Sequence, residues 1–262
     1  MIRGLYTAAT GMNAQQHQID VTSNNIANVN TYAYKRDRAE FSDLLYESLS
    51  FTAGKTSEST RNPTGLHVGM GVRLTGIQKE FLQGNLKETG NELDLAIEGK
   101  GFFKITLPSG EESFTRNGAF KLDDEGAMVN GAGYRLNPEI IIPTTVIDVS
   151  ISENGLVTAL NPQTGATETF GTITITTFIN PSGLAPTGTS LYTETEASGA
   201  GVEGNPGDDA LGKLKQGSLE SSNVKLVNEM VDLITAQRAY ESNSKAISAT
   251  DEMLDIVNRL KR

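Results

Sequence analysis

Cysteine is absent from the 262-residue chain, which removes disulfides, zinc-thiolate sites and cysteine nucleophiles together. Histidine is scarce: His17 and His67 leave little material for a metal site or an imidazole base. No run of about 18 apolar residues occurs, so a membrane-spanning helix is not expected. The start, Met1-Ile2-Arg3, continues with Thr7, Thr10, Asn13, Gln15 and Gln16 where a signal peptide would carry its apolar stretch, so any export is expected without a cleaved Sec signal. A basic surplus is also missing. The net charge of -10 argues against nucleic-acid binding, which needs Lys and Arg gathered on at least one face.

The position of the charge says more than its sum. Residues 1–38 set Arg3, Lys35, Arg36 and Arg38 against Asp20 and Asp37, and residues 225–262 balance six basic with six acidic side chains. The 39–224 segment therefore carries -12, the whole chain's -10 less the front's +2 and the back's zero. An acidic middle between near-neutral ends fits solvent-facing domains hung on a covered helical part.

What is present at the ends is a helical rhythm. Leu5, Ala9, Met12, Gln16, Ile19, Ser23 and Ile26 are spaced alternately four and three residues apart, and Met230, Leu233, Gln237, Tyr240, Ser244, Ile247, Asp251 and Leu254 keep a matching beat. Asp20 is the only ionised group between Arg3 and Lys35, so the first helix is expected to be covered on most sides. Asn28 or Asn30 is placed to end it, because asparagine tolerates the left-handed conformation. The large apolar groups, Leu5, Met12, Ile19, Ile26, Met230, Leu233, Tyr240, Ile247 and Leu254, are the candidate assembly interface. Polar residues hold several seam positions, so the ends are expected to be poorly ordered in a free monomer and to fold when many copies pack side by side.

Between the ends the pattern is β. Strands are expected at Leu66–Leu74, Leu93–Ile97, Phe103–Leu107, Ser113–Leu122, Ala127–Val129, Val146–Ser152, Leu156–Leu160 and Thr172–Phe178. Phe41–Tyr46 fits either a strand or a helical turn, and Thr52–Thr64 is polar and loop-like. Asp123-Asp124-Glu125-Gly126 and Glu153-Asn154-Gly155 predict hairpin turns, and the glycine-rich Ala197–Gly207 predicts a mobile loop. The fold class is α+β: one discontinuous helical module from both termini, with coiled-coil-like pairing, plus central β-rich domains. Gln83-Gly84-Asn85-Leu86-Lys87-Glu88-Thr89 also echoes Gln216-Gly217-Ser218-Leu219-Glu220-Ser221-Ser222. Two copies this far apart do not make a solenoid; they mark where the chain enters and leaves its middle.

Catalysis finds no foothold. Glu111 and Glu112, Asp123 to Glu125, and Asp208 and Asp209 sit in predicted turns, where solvated acids are the ordinary reading, and the calcium-loop pattern is not met. Gly69-Met70-Gly71 and Gly131-Ala132-Gly133 lack the further glycine or the lysine of a phosphate loop, and H-E-x-x-H and G-x-S-x-G do not occur. No catalytic, cofactor-binding or metal-binding residues are assigned.

Five motifs in order, Leu5-Tyr6-Thr7-Ala8-Ala9-Thr10-Gly11-Met12, Ser23 to Thr31, Gly99-Lys100-Gly101-Phe102-Phe103, Phe114-Thr115-Arg116-Asn117-Gly118 and Gln237-Arg238-Ala239-Tyr240-Glu241, resemble bacterial flagellar rod and hook proteins. The second contains Asn24, Asn25, Asn28 and Asn30 as family-motif and helix-end residues. Length and the segment from about Tyr46 to Arg73 are most similar to the distal-rod branch; a proximal rod or hook protein, an extracellular fibre or adhesin subunit, and last an enzyme are the alternatives. Tyr32-Ala33-Tyr34 departs from the family, which usually has a glycine and a phenylalanine before the basic pair.

The resemblance implies a helical homopolymer, a rigid hollow shaft with terminal helices inside and β domains outside. It also implies a shaft crossing the periplasm and subunits exported by the flagellar type III apparatus. Implied partners are the chain itself, proximal rod proteins, hook protein, P- and L-ring proteins and that export apparatus, with no nucleic acid. Three segments are expected: 1–30 with 222–262 for polymerisation, 31–85 with 206–221 as an extended or β connection, and 86–205 as an outer β domain.

Overall fold

The computed structural model describes residues 2–50, 66–143, 145–162, 165–208 and 211–260. Helices α1 (Ile2–Ala27) and α2 (Leu226–Leu260) occupy the two ends, and every strand among the described residues lies between them. This is the α+β class read from the sequence. The loop expected at Thr52–Thr64 and the carboxylate Asp209 lie outside the described residues.

The chain forms two compact units. The first comprises Met1–Ala27, Asp37–Gln78 and Lys225–Arg262. Here α1 and α2 pack antiparallel: Asn25 meets Glu229, and Gly11 lies against Asn243, with equal numbers of residues between the contacts on each helix. Asp37–Asp43 is a strand paired with Val72–Lys79, which settles the ambiguous Phe41 segment, and Tyr46–Ser50 pairs antiparallel with Leu66–Gly69. The single strand expected over Leu66–Leu74 is broken at Met70-Gly71. Gly71 has φ 111°, and a Cβ there would lie 2.2 Å from Thr10 Oγ1 on α1, so the backbone turns where only glycine fits.

The second unit comprises Asn28–Arg36 and Lys79–Val224. Its main sheet, nine-stranded among the described residues, runs in order Ala185–Gly188, Leu191–Thr193, Glu112–Thr115, Phe102–Thr106, Arg135–Asn137, Met128–Val129 and Lys121–Leu122. Ile175–Thr177 joins it beside Phe102–Thr106 and carries Val202–Gly204 on its other edge. The segment expected to be a mobile loop thus holds a strand, fixed by that pairing and by Glu203, which accepts from Lys104 Nζ at 2.7 Å and Thr174 Oγ1 at 2.7 Å. Both predicted hairpins form: Leu122 opposes Met128 around the 123–126 turn, and Ile151 opposes Val157 around Glu153-Asn154-Gly155.

Successive strand residues point to opposite faces, and this accounts for the Phe102-Phe103 pair. Phe103 enters the main core with Leu95, Ile97, Ile105, Phe120 and Ile175, while Phe102 joins a second cluster with Phe114, Phe178, Leu184 and Tyr192. The strand expected over Ser113–Leu122 is interrupted after Thr115. Gly118 comes so close to the Leu95 carbonyl that a Cβ would lie 1.8 Å from its oxygen.

The echoed segments pair with each other. Leu86–Glu88 and Ser218–Glu220 form an antiparallel clasp, Glu220 opposite Leu86 and Ser218 opposite Glu88. The chain therefore leaves for the β region and returns from it through one two-stranded element.

Candidate assembly interface

The end of α1 is held by an amide. Asn25 donates from Nδ2 to the Asp37 carbonyl at 2.8 Å and to Glu229 Oε2 at 3.1 Å, and its Oδ1 accepts from the Asp37 N–H at 2.9 Å. Asn25 and Glu229 are both buried. One side chain thus continues the hydrogen-bonding edge of the Asp37–Asp43 strand and fixes the first turn of α2. Of the other motif asparagines, Asn24 and Asn30 are exposed and Asn28 is half-buried. The Asn28 carbonyl accepts from Thr31 N–H at 3.1 Å in the turn that follows the helix.

The most deeply buried residues of the two helices are not those of the heptads read from the sequence. Buried residues are Ala14, Val21, Thr22 and Asn25 on α1 and Glu229 and Ala236 on α2, whereas Gln16, Ser23, Gln237, Ser244 and Asp251 are exposed. Gly11 brings the helices close: a Cβ there would lie 2.8 Å from Asn243 Nδ2. Leu5, Met12, Ile19, Ile26, Leu233, Ile247 and Leu254 lie half-buried, and Met230 and Tyr240 are exposed.

The α2 helix keeps much of its apolar surface uncovered within the chain. Val227, Met230, Val231 and Ile234, at i, i+3, i+4 and i+7, are all exposed, as are Met253, Ile256 and Val257 near its other end. A contiguous apolar stripe on a helix otherwise rich in polar residues is the signature of a contact surface.

A second polar constellation, in the β unit, draws on three of the sequence motifs. Lys35 Nζ meets Glu220 Oε1 at 2.6 Å with both side chains 0% exposed, and also donates to the Leu82 carbonyl at 2.9 Å. Arg116 Nε approaches Glu220 Oε2 at 3.5 Å, and its Nη2 donates to the Gly99 carbonyl at 2.7 Å. Burial pushes the Lys35 ammonium below its ordinary pKa; Glu220 opposes that shift and Arg116 adds to it. Burial likewise lowers Arg116, with Glu220 as the main counterweight. The neighbouring Ala33 N–H donates to the Glu220 carbonyl at 2.8 Å from a left-handed backbone with φ 56°. That is the position where the sequence departs from the glycine usual in the resembling proteins.

Sequence reasoning passed over Glu229, Glu220 and Asn223 as individual residues. Asn223 accepts from the Arg36 N–H at 2.7 Å and donates to the Glu80 and Leu82 carbonyls at 2.7 and 3.2 Å. The available signal was the echo around Glu220, which ends one residue before Asn223. No cluster of three metal-ligating side chains occurs among the described residues.

The chain matches three family profiles, one per region of this architecture. They are "Flagella basal body rod protein" over residues 5–35, "Flagellar hook protein FlgE/F/G D1 domain" over 96–159, and "Flagellar basal body rod FlgEFG protein C-terminal" over 215–260. It is 45% identical over 264 residues to the flagellar basal-body rod protein FlgG of Borreliella burgdorferi, with 100% of both chains covered. It is 46% identical over 260 residues to FlgG of Agrobacterium fabrum, with 98% of this chain and 99% of that one covered. With FlgG of Bacillus subtilis it shares 39% over 269 residues, again the full length of both.

The chain belongs to the flagellar basal-body rod protein family. It is a structural subunit of the flagellar rod, and its relatives are basal-body rod proteins. The α1 helix with the Asn25 clamp falls in the first matched region, the Phe102 to Phe114 strands in the second, and the Glu220 side of the clasp with α2 in the third. No helix among the described residues is long and apolar enough to cross a membrane.

Proposed function

We propose that this chain is the distal rod subunit, assembling helically with itself into a rigid hollow shaft that carries torque from motor to hook and lets exported subunits pass. The observation that carries the reading is the end-to-end similarity to FlgG proteins, joined to an α2 helix whose apolar stripe is left open for neighbours. In this reading residues 1–30 with 222–262 polymerise, through Leu5, Met12, Ile19, Ile26, Met230, Leu233, Tyr240, Ile247 and Leu254. Residues 31–85 with 206–221 connect, and 86–205 face outward. The role is mechanical rather than enzymatic. The shaft crosses the periplasm, reached by type III export, between proximal rod proteins and hook protein and inside the P and L rings.

Electron microscopy of the purified full chain under polymerising conditions tests this. Straight hollow tubes are expected; curved tubes would favour a hook protein, and no filament would favour the fibre, adhesin or enzyme classes. Deleting residues 46–73 is expected to cost straightness, and tubes of unchanged straightness would remove the preference for the distal rod.

A further inference from the structure

Lys35, Arg116 and Glu220 bury two cations with one carboxylate, and the surplus positive charge stands behind the wall of a cleft in the β unit. Arg116, 5% exposed, forms part of that wall; its Nη2 is bonded to the Gly99 carbonyl, and its Nη1 is buried behind the wall with no hydrogen-bond partner. Lys100 stands beside it, exposed and without an ion pair among the described residues. Phe81, Phe102 and Phe178 supply an apolar lining, and Leu82 and Ile179 project from the rim at 69% and 89% exposure.

A net charge held out of water is unfavourable unless a counter-charge reaches it, and the low dielectric strengthens that attraction. A free inorganic anion would satisfy the charge and leave the rim side chains in water. A carboxylate carried between apolar neighbours on a protein surface satisfies both. The chain supplies such a surface in abundance, since its 39–224 segment carries -12. Two acidic units repel except where one offers a positive floor, so such a cleft also selects how two copies meet. We propose that this cleft receives a carboxylate side chain with its apolar neighbours from a second copy of the chain. The inference rests on the self-assembly proposed above.

The absence of cysteine makes the test clean. Full-length Leu82→Cys and Ile179→Cys proteins are assembled into tubes and treated with a soluble maleimide, alongside the same proteins as monomers. Reaction in tubes is expected to be at least tenfold slower at both positions. In tubes mixed from isotopically light and heavy protein, a carbodiimide is expected to join Lys100 to a carboxylate of the other isotope. Lys100→Glu is expected to cut tube yield at least tenfold with monomer melting unchanged, and Lys100→Arg to retain it. Tubes in which Ile179→Cys reacts as in the monomer, or which lack the mixed cross-link, would overturn the proposal while leaving self-assembly intact. Normal tubes from Lys100→Glu would do the same. Failure of the wild type to form tubes at all would overturn both readings.

Discussion

Asn25 and Glu229, 204 positions apart, are joined by a 3.1 Å hydrogen bond inside the helical unit, with both side chains buried. Asn25→Ala removes this bond and both bonds to the Asp37 backbone, and is expected to cost about 2–4 kcal/mol, of which the bond to a charged partner alone contributes about 1.5–3. Asn25→Asp is expected to cost more, because it deletes the two donors and sets a second carboxylate against Glu229. Denaturant unfolding, with hydrogen exchange along α1, measures both; equal stability of Asn25→Asp and wild type would refute the clamp.

The buried ionic cluster is expected to respond asymmetrically. Glu220→Gln leaves Lys35 and Arg116 without their counter-charge and should cost about 3–5 kcal/mol, the usual consequence of orphaning buried charge. Lys35→Met leaves one cation with one anion and should cost clearly less. A reversed order in denaturant unfolding would rule out the charge account.

The same lysine sets a pH trend. Its folded pKa lies below the ordinary lysine value of 10.5, so between the two pKa values the unfolded chain holds more protons. Stability contributed at Lys35 therefore rises with pH through that window. The stability of wild type relative to Lys35→Met is expected to increase as pH is raised toward 10.5, which unfolding curves of the two proteins at matched pH will read; a flat or falling difference would contradict it.

The echoed glycines differ in their physical roles. A Cβ on Gly84 would lie 1.9 Å from the Ser221 carbonyl oxygen, whereas Gly217 has open space but φ 68°. Gly84→Ala is expected to lose about 3 kcal/mol or more by forcing the clasp apart, and Gly217→Ala about 1–2 kcal/mol from left-handed strain alone. At Ala33 the argument inverts: φ 56° penalises the methyl, so Ala33→Gly is expected to stabilise by about 0.5–1 kcal/mol. Thermal unfolding of the three variants checks the signs.

The open stripe on α2 separates folding from assembly. Val231→Asp with Ile234→Asp replaces two exposed apolar groups, and the monomer's stability should change by less than about 1 kcal/mol, as surface substitutions do. Tube formation is expected to fail. Normal tubes from the double variant, counted by electron microscopy, would remove the stripe from the contact.

The fold was legible in the sequence where side chains have bulk or turns have chemistry. Helical ends, both hairpins, about half of the described strands and the place where the chain enters and leaves its middle follow from periodicity, from glycine and asparagine, and from repetition. The close approach of the two helices within the chain was not legible, because periodicity weighs large apolar groups while Gly11, Ala14 and Ala236 are small. The strand at Val202–Gly204 escaped notice because its glycine-rich surroundings read as loop and its anchor, Glu203, is held by distant Lys104 and Thr174. The Lys35–Glu220 pair was invisible for the same reason: a charged side chain carries no mark of burial until the partner 185 positions away is known.

Because the outgoing and returning strands are fastened to each other, with Thr89 N–H also bonded to the Gly217 carbonyl at 2.9 Å, everything strung between them hangs from a closed loop with a fixed base. Closure entropy grows only logarithmically with loop length, by about 0.6 kcal/mol per doubling. Changes in the length of the loops strung between the two strands therefore cost little to close, whereas losing the segment that carries Arg116 would strip the clasp's Glu220 of a partner.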